Sequence, residues 1–156
     1  MGFKQAAVLA PISFFLGVLF ICFNIDHKLL FTDHTDEAIA DGFHFYTTFF
    51  NAPPAIKALL HGLVAVGILS LVAKLHTWSE SAMLFDGTSL IAYVFGVVMY
   101  LSVVIPSLRT IATPLAEETA EVRLEAMTVL SAANVLIILC LCAILMLQAG
   151  QAYAHR

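Results

Sequence analysis

Charge is scarce in this chain. Only 12% of its residues are Asp, Glu, Lys or Arg, against roughly a quarter in soluble domains, while 61% are hydrophobic and the mean hydropathy is +0.95. The few charges cluster between long uncharged runs. A soluble core would instead show its apolar residues at period 2 or 3.6, so the pattern describes an integral membrane protein. Basic residues are scarcer still: 7 Lys and Arg against 11 Asp and Glu give a net charge of −4. No cationic stripe exists to replace phosphate counterions, which excludes nucleic acid as an expected partner. Cysteine is limited to Cys22, Cys140 and Cys142, all inside apolar runs, so no disulfide framework is implied and the thiols read as small hydrophobes. Missing too are low-complexity tracts, internal repeats, a glycine-rich phosphate loop, a GxSxG elbow and an HExxH pair. No catalytic residue, cofactor or metal site is expected.

What is present is a set of four apolar runs, residues 6–23, 55–73, 87–108 and 126–150, read as four membrane helices in one membrane domain. The first is read as a membrane helix and not a signal peptide, because Lys4 alone makes a weak basic lead and no small-x-small cleavage site follows Phe23. Residues 24–54 form the one long loop. Within it Thr35-Asp36-Glu37 has the chemistry of a helix start, and Ile39, Phe43, Tyr46 and Phe50 fall on one helical face. The expected fold is therefore an all-α, integral membrane four-helix bundle with an amphipathic interfacial helix in the first loop.

Pro53 and Pro54 end that helix and open the next run, which Lys57 and Lys74 bracket with snorkelling stems. Trp78 in the following turn suits an interface anchor, and Asp86 beside Gly87 reads as the cap of the third helix. Thr113 and Pro114 have the pattern of a further helix start, with Glu117 and Glu118 over its dipole. Orientation is not given by charge: Lys4, Lys74 and Arg156 on one side face Lys28, Lys57, Arg109 and Arg123 on the other.

The candidate contact residues follow from membrane packing chemistry. Ala58 and Gly62, and again Ala92 and Gly96, stand at small-xxx-small spacing, which lets a neighbouring helix approach closely. His61 is the ionisable group well inside a run. It is read as a neutral imidazole donating a hydrogen bond across helices, since haem ligation needs a second histidine at that depth and a proton relay needs a partner such as Asp86 or Asn134. Asn134 and Gln148 are the strong hydrogen-bonding groups of the last run. The acidic and histidine residues between Asp26 and His44 match no metal-ligand spacing and read as a solvated acidic loop.

Residue order adds a resemblance. Phe15 to Phe20, His27 to Phe31, Tyr46 to Leu75, Leu84-Phe85-Asp86-Gly87-Thr88-Ser89-Leu90, and Arg123-Leu124-Glu125 through Ala132-Ala133-Asn134 to Leu147-Gln148-Ala149-Gly150 together resemble the fungal endoplasmic-reticulum membrane chaperones of amino-acid permeases. The resemblance implies a non-enzymatic, multi-pass protein of the endoplasmic-reticulum membrane with cytosolic N- and C-termini and a luminal first loop. It also implies that the protein keeps polytopic permeases from aggregating and promotes their packaging into COPII vesicles. Better-known members carry a hydrophilic tail after the fourth helix, linked to coat contact. Here the run Gln151 to Arg156 stands in that place, so the membrane role is the better supported part of the expectation. The alternative from composition alone is a non-catalytic accessory subunit of a membrane enzyme or translocation complex.

Overall fold

The computed structural model describes residues 2–76 and 78–154. Arg156, counted in the charge balance, and His155 of the terminal run lie outside them. The regular structure of the described residues is helical: α1 (Phe3–Phe31), α2 (Asp36–Phe50), α3 (Pro54–Leu75), α4 (Ala82–Ala112) and α5 (Ala120–Ala154). Four of these, α1, α3, α4 and α5, are long and apolar enough to cross a membrane. The protein is thus an all-α membrane bundle, with α2 held in the connection between the first two crossings.

Helix α1 does not stop where the apolar run stops. Asn24 and His27 turn their side chains back onto the helix, Asn24 Nδ2 donating to the Ile21 carbonyl at 3.1 Å and His27 Nδ1 meeting the Phe23 carbonyl at 2.8 Å. Their polarity is satisfied without breaking the ladder. The helix closes eight residues past Phe23, where Thr32 Oγ1 donates to the Lys28 carbonyl at 2.6 Å and His34 Nε2 meets the Leu29 carbonyl at 2.7 Å. These side chains satisfy carbonyls that a helix end leaves without partners.

Helix α2 begins as its sequence dictates. The Thr35 hydroxyl accepts the Ala38 N–H at 3.2 Å, with Asp36 and Glu37 in the first turn. Its aromatic face packs onto the bundle: Tyr46 is buried, and Ile39, Phe43 and Phe50 pack around the same cluster with Leu29, Leu108, Ile111 and Met127. The approach is close at Gly42, where an added Cβ would lie 2.7 Å from Met127 Sδ.

In α4 a π-helical turn over Tyr100–Val104 precedes Pro106. Proline has no N–H for the carbonyl one turn back and its ring crowds that carbonyl, so a widened turn is the local accommodation. The segment after α4 differs from the sequence reading. No helix starts at Thr113 and Pro114; Thr113 Oγ1 instead donates to the Arg109 carbonyl at 3.2 Å, and the turn runs on to Thr119, whose hydroxyl accepts the Val122 N–H at 3.3 Å to open α5. The cause is Glu118. It accepts the Leu115 N–H at 2.6 Å and pairs with Arg109 at 2.7 Å, which folds the segment into a tight link.

Burial is unequal among the crossings: 39% of the apolar window of α5 is buried, against 11% of that of α3. α5 is therefore the central post, and α3 a peripheral helix that buries only Gly67 and Leu71.

Candidate functional site

Where helices sit in lipid, apolar contact alone does not select a partner, and the positions of polar groups become decisive. One buried polar cluster joins α1, α2 and α5. Asp26 is fully buried and its carboxylate accepts from the Tyr46 hydroxyl, from Ser131 Oγ at 2.8 Å and from Asn134 Nδ2 at 3.1 Å. Asn134 Nδ2 also reaches Tyr46 Oη at 3.2 Å. Burial, and then the facing Asp26 carboxylate, push the Tyr46 hydroxyl well above the usual tyrosine range, so it remains a donor. Arg123 fastens the outer edge of α2: its guanidinium lies 4.7 Å from the Phe43 ring centroid and donates to the Ile111 carbonyl at 2.7 Å.

A second cluster closes the other end of the bundle. Lys74 Nζ lies 2.8 Å from Asp86 Oδ1, and Asp86 also accepts from Gln148 Nε2 at 3.0 Å and Gln151 Nε2 at 2.8 Å. Lys74 further donates to the side-chain oxygens of Gln148 and Gln151. Two sequence readings are corrected here. Asp86 makes no side-chain cap bond to α4, and the Lys74 side chain is only 11% exposed, paired inside and not extended to the surface. With the Asp86 carboxylate drawn inside the bundle, the lysine and the two glutamine amides compensate a charge that would be costly to leave unpaired.

The six candidate contact residues separate into three groups. Ala58, His61 and Gly62 are exposed on α3, and an added Cβ at Gly62 would meet nothing within 4 Å. Ala92 is half-buried and Gly96 buried, the latter with an added Cβ 3.8 Å from Ile137 Cγ2. Asn134 is internal. His61 does bridge two helices, but in the opposite sense to the one expected. Its Nδ1 lies 2.7 Å from the Lys57 carbonyl, which can only accept, so in the neutral ring Nε2 is the acceptor of the Tyr100 hydroxyl at 3.3 Å. Neither Asp86 nor Asn134 is its partner, each being held in its own cluster.

Asp26 and Tyr46 were missed as a structural pair. The available signal was spacing: Cys22, Asp26 and Leu29 share one helical face if α1 continues past Phe23, and all three are buried.

An α-helical bundle with four membrane crossings, polar clusters inside it and one sparsely packed helix defines a multi-pass membrane protein. The chain matches the family model for the SHR3 chaperones, described as ER membrane protein SH3, over residues 1–156, and belongs to that family. It is a multi-pass protein of the endoplasmic-reticulum membrane. Comparison with curated proteins and with solved structures gives no match.

Proposed function

We propose that this protein is a non-catalytic chaperone that holds newly inserted amino-acid permeases against aggregation in the endoplasmic-reticulum membrane and releases them for packaging into COPII vesicles, with both termini cytosolic and α2 luminal. Family membership supports the clients and the compartment. The structural observation that carries the contact is α3: a membrane-length helix whose N-terminal half, Pro54 to Val66, contains no buried residue. Ala58 and Gly62 give that face a low profile for a client helix, and the exposed His61 ring stands at its centre, held in place by its bonds to the Lys57 carbonyl and the Tyr100 hydroxyl. Ala92 and Gly96 act from inside, by setting how closely α4 approaches its neighbours. An interhelical hydrogen bond in lipid contributes only about 0.6–2 kcal/mol, so contacts of this kind hold a client and still release it.

Gly62→Leu places a bulky side chain on the open face without touching the bundle's own packing. Permease recovery is expected to fall while the protein's abundance stays normal. In cells lacking the gene, permeases should aggregate in the endoplasmic reticulum while an unrelated polytopic protein is exported normally. Normal permease export there would overturn the chaperone reading, and stoichiometric co-purification with a fixed complex would replace it with an accessory subunit.

A further inference from the structure

Helix α3 is held to the bundle along its second half and stands off along its first. Gly67 sits against Tyr93 and Leu71 is buried, whereas Pro54 to Val66 contains no buried residue. The gap left behind the seam of α3 and α4 is a partly open cavity of about 110 Å³. Its lining runs along α4 from Tyr93 to Leu108, a rise of about 20 Å at 1.5 Å per residue, so it is an elongated slot within the membrane-crossing part of the bundle. The walls are apolar almost throughout, Phe15, Leu19, Val97 and Ile137 among them.

The chemistry of the walls selects the occupant. Water needs two to four polar partners, and the slot supplies almost none. A further helix, about 10–12 Å across, has no way in, because α3 and α4 are tied directly: Tyr93 donates to the Val64 carbonyl at 3.2 Å and Tyr100 to His61 Nε2 at 3.3 Å. Left empty, the slot would forfeit dispersion contacts along its whole lining. A hydrocarbon chain restores those contacts, brings no polar group that needs a partner, and is the solvent at this depth.

The outer end of the slot specifies which hydrocarbon. Phe49, near the end of α2, and Leu60 line it there, and Lys57 stands one turn before Leu60 in the first turn of α3. The Lys57 ammonium lies 5.2 Å from the Phe50 ring centroid, and among the described residues no carboxylate pairs with it. A cation held over an aromatic ring at the mouth of an apolar slot is complementary to a chain that ends in an anion. The bilayer molecule with that chemistry is a glycerophospholipid.

We propose that the slot is a phospholipid site. One acyl chain lies behind the α3–α4 seam against Val97 and Ile137, and the phosphate of the same lipid pairs with Lys57 Nζ. The lipid stands in for protein packing behind the first half of α3, whatever docks on the outer face of that helix.

The test offers the full-length protein two lipids with the same chains. It is reconstituted into vesicles of phosphatidylcholine and diacylglycerol, extracted into mild detergent and read by native mass spectrometry. One phosphatidylcholine per chain should be retained, in several-fold preference to diacylglycerol. Lys57→Glu should abolish the preference while Lys57→Arg keeps it, and Val97→Phe, or Val97→Leu where the larger residue prevents folding, should lower total retention several-fold. No preference in the unaltered protein, or unchanged retention in Lys57→Glu or in a folded Val97 variant, overturns the site. A photo-cross-linking residue at Ile137, with one at Leu139 on the 60%-exposed outer face of α5 as control, leaves slot and charge in place. Irradiation after detergent exchange should give a phospholipid adduct at Ile137 and none at Leu139. A sterol or peptide adduct at Ile137, no adduct, or equal phospholipid adducts at both positions overturns the proposal.

Discussion

Lys74 and Asp86, at the end of α3 and the start of α4, form an ion pair at 2.8 Å within which both side chains are almost fully buried. Each charge depends on the other for its place inside the bundle. Lys74→Met should therefore cost about 3–5 kcal/mol by leaving the carboxylate uncompensated. Combining it with Asp86→Asn, which removes the second charge and keeps an amide oxygen for Gln151, should recover most of that loss. Thermal unfolding of the purified protein in detergent reads both outcomes, and an additive double variant would contradict the pairing.

Tyr46 ties α2 to Asp26 on α1, so Tyr46→Phe removes one donor from a buried carboxylate and should destabilise the protein by about 1–3 kcal/mol. Asp26→Leu should be more severe, because Tyr46, Ser131 and Asn134 all lose their acceptor. Limited proteolysis of the α2 segment checks the linkage: cleavage should rise in both variants, and rise first there.

Gly62 and Gly67 lie on the same helix and should respond differently to alanine. An added Cβ at Gly67 would overlap the Tyr93 hydroxyl, which is buried and bonded to Val64, so Gly67→Ala forces α3 and α4 apart. At Gly62 the space is open, and alanine should stabilise the helix by up to about 1 kcal/mol. Comparing the unfolding temperatures of the two variants tests whether α3 is held to the bundle only along its second half.

Glu118 has its carboxyl held below the ordinary value of 4.5, first by the Leu115 N–H and then by Arg109. Because the folded value is the lower one, its contribution to the link between α4 and α5 is complete above pH 4.5 and is lost as pH falls through the folded value. Protection of the Leu115 amide, its exchange measured against the intrinsic rate at the same pH, should be lost in that acid window and be retained at neutral pH. Tyr46 carries the opposite sign. Its hydroxyl is raised above the ordinary 10.0, so its contribution is complete below pH 10.0 and is lost only as pH rises through the folded value.

Much of the architecture was legible before any coordinates. Helix existence follows from uncharged runs of membrane length, and the start and buried face of α2 follow from Thr35-Asp36-Glu37 and from the spacing of Ile39, Phe43, Tyr46 and Phe50. The start of α5 was not legible, because Thr113-Pro114 has the same local pattern as a helix start and only the contact of Glu118 with Arg109 decides against it. The role of Asp86 was hidden for a similar reason: α4 begins at Ala82, ahead of Asp86, so its carboxylate lies within the helix and is met by Lys74 from another one.

The sequence by itself determined that this chain enters a membrane and crosses it four times, since hydropathy is a local property. Only the tertiary structure decided that Asp26 is internal, that Gly62 is open while Gly96 is covered, and that a cavity lies behind the α3–α4 seam. The physical reason is that in lipid every apolar face looks alike to its own sequence. Which face is buried depends on where distant polar groups find one another across the bundle.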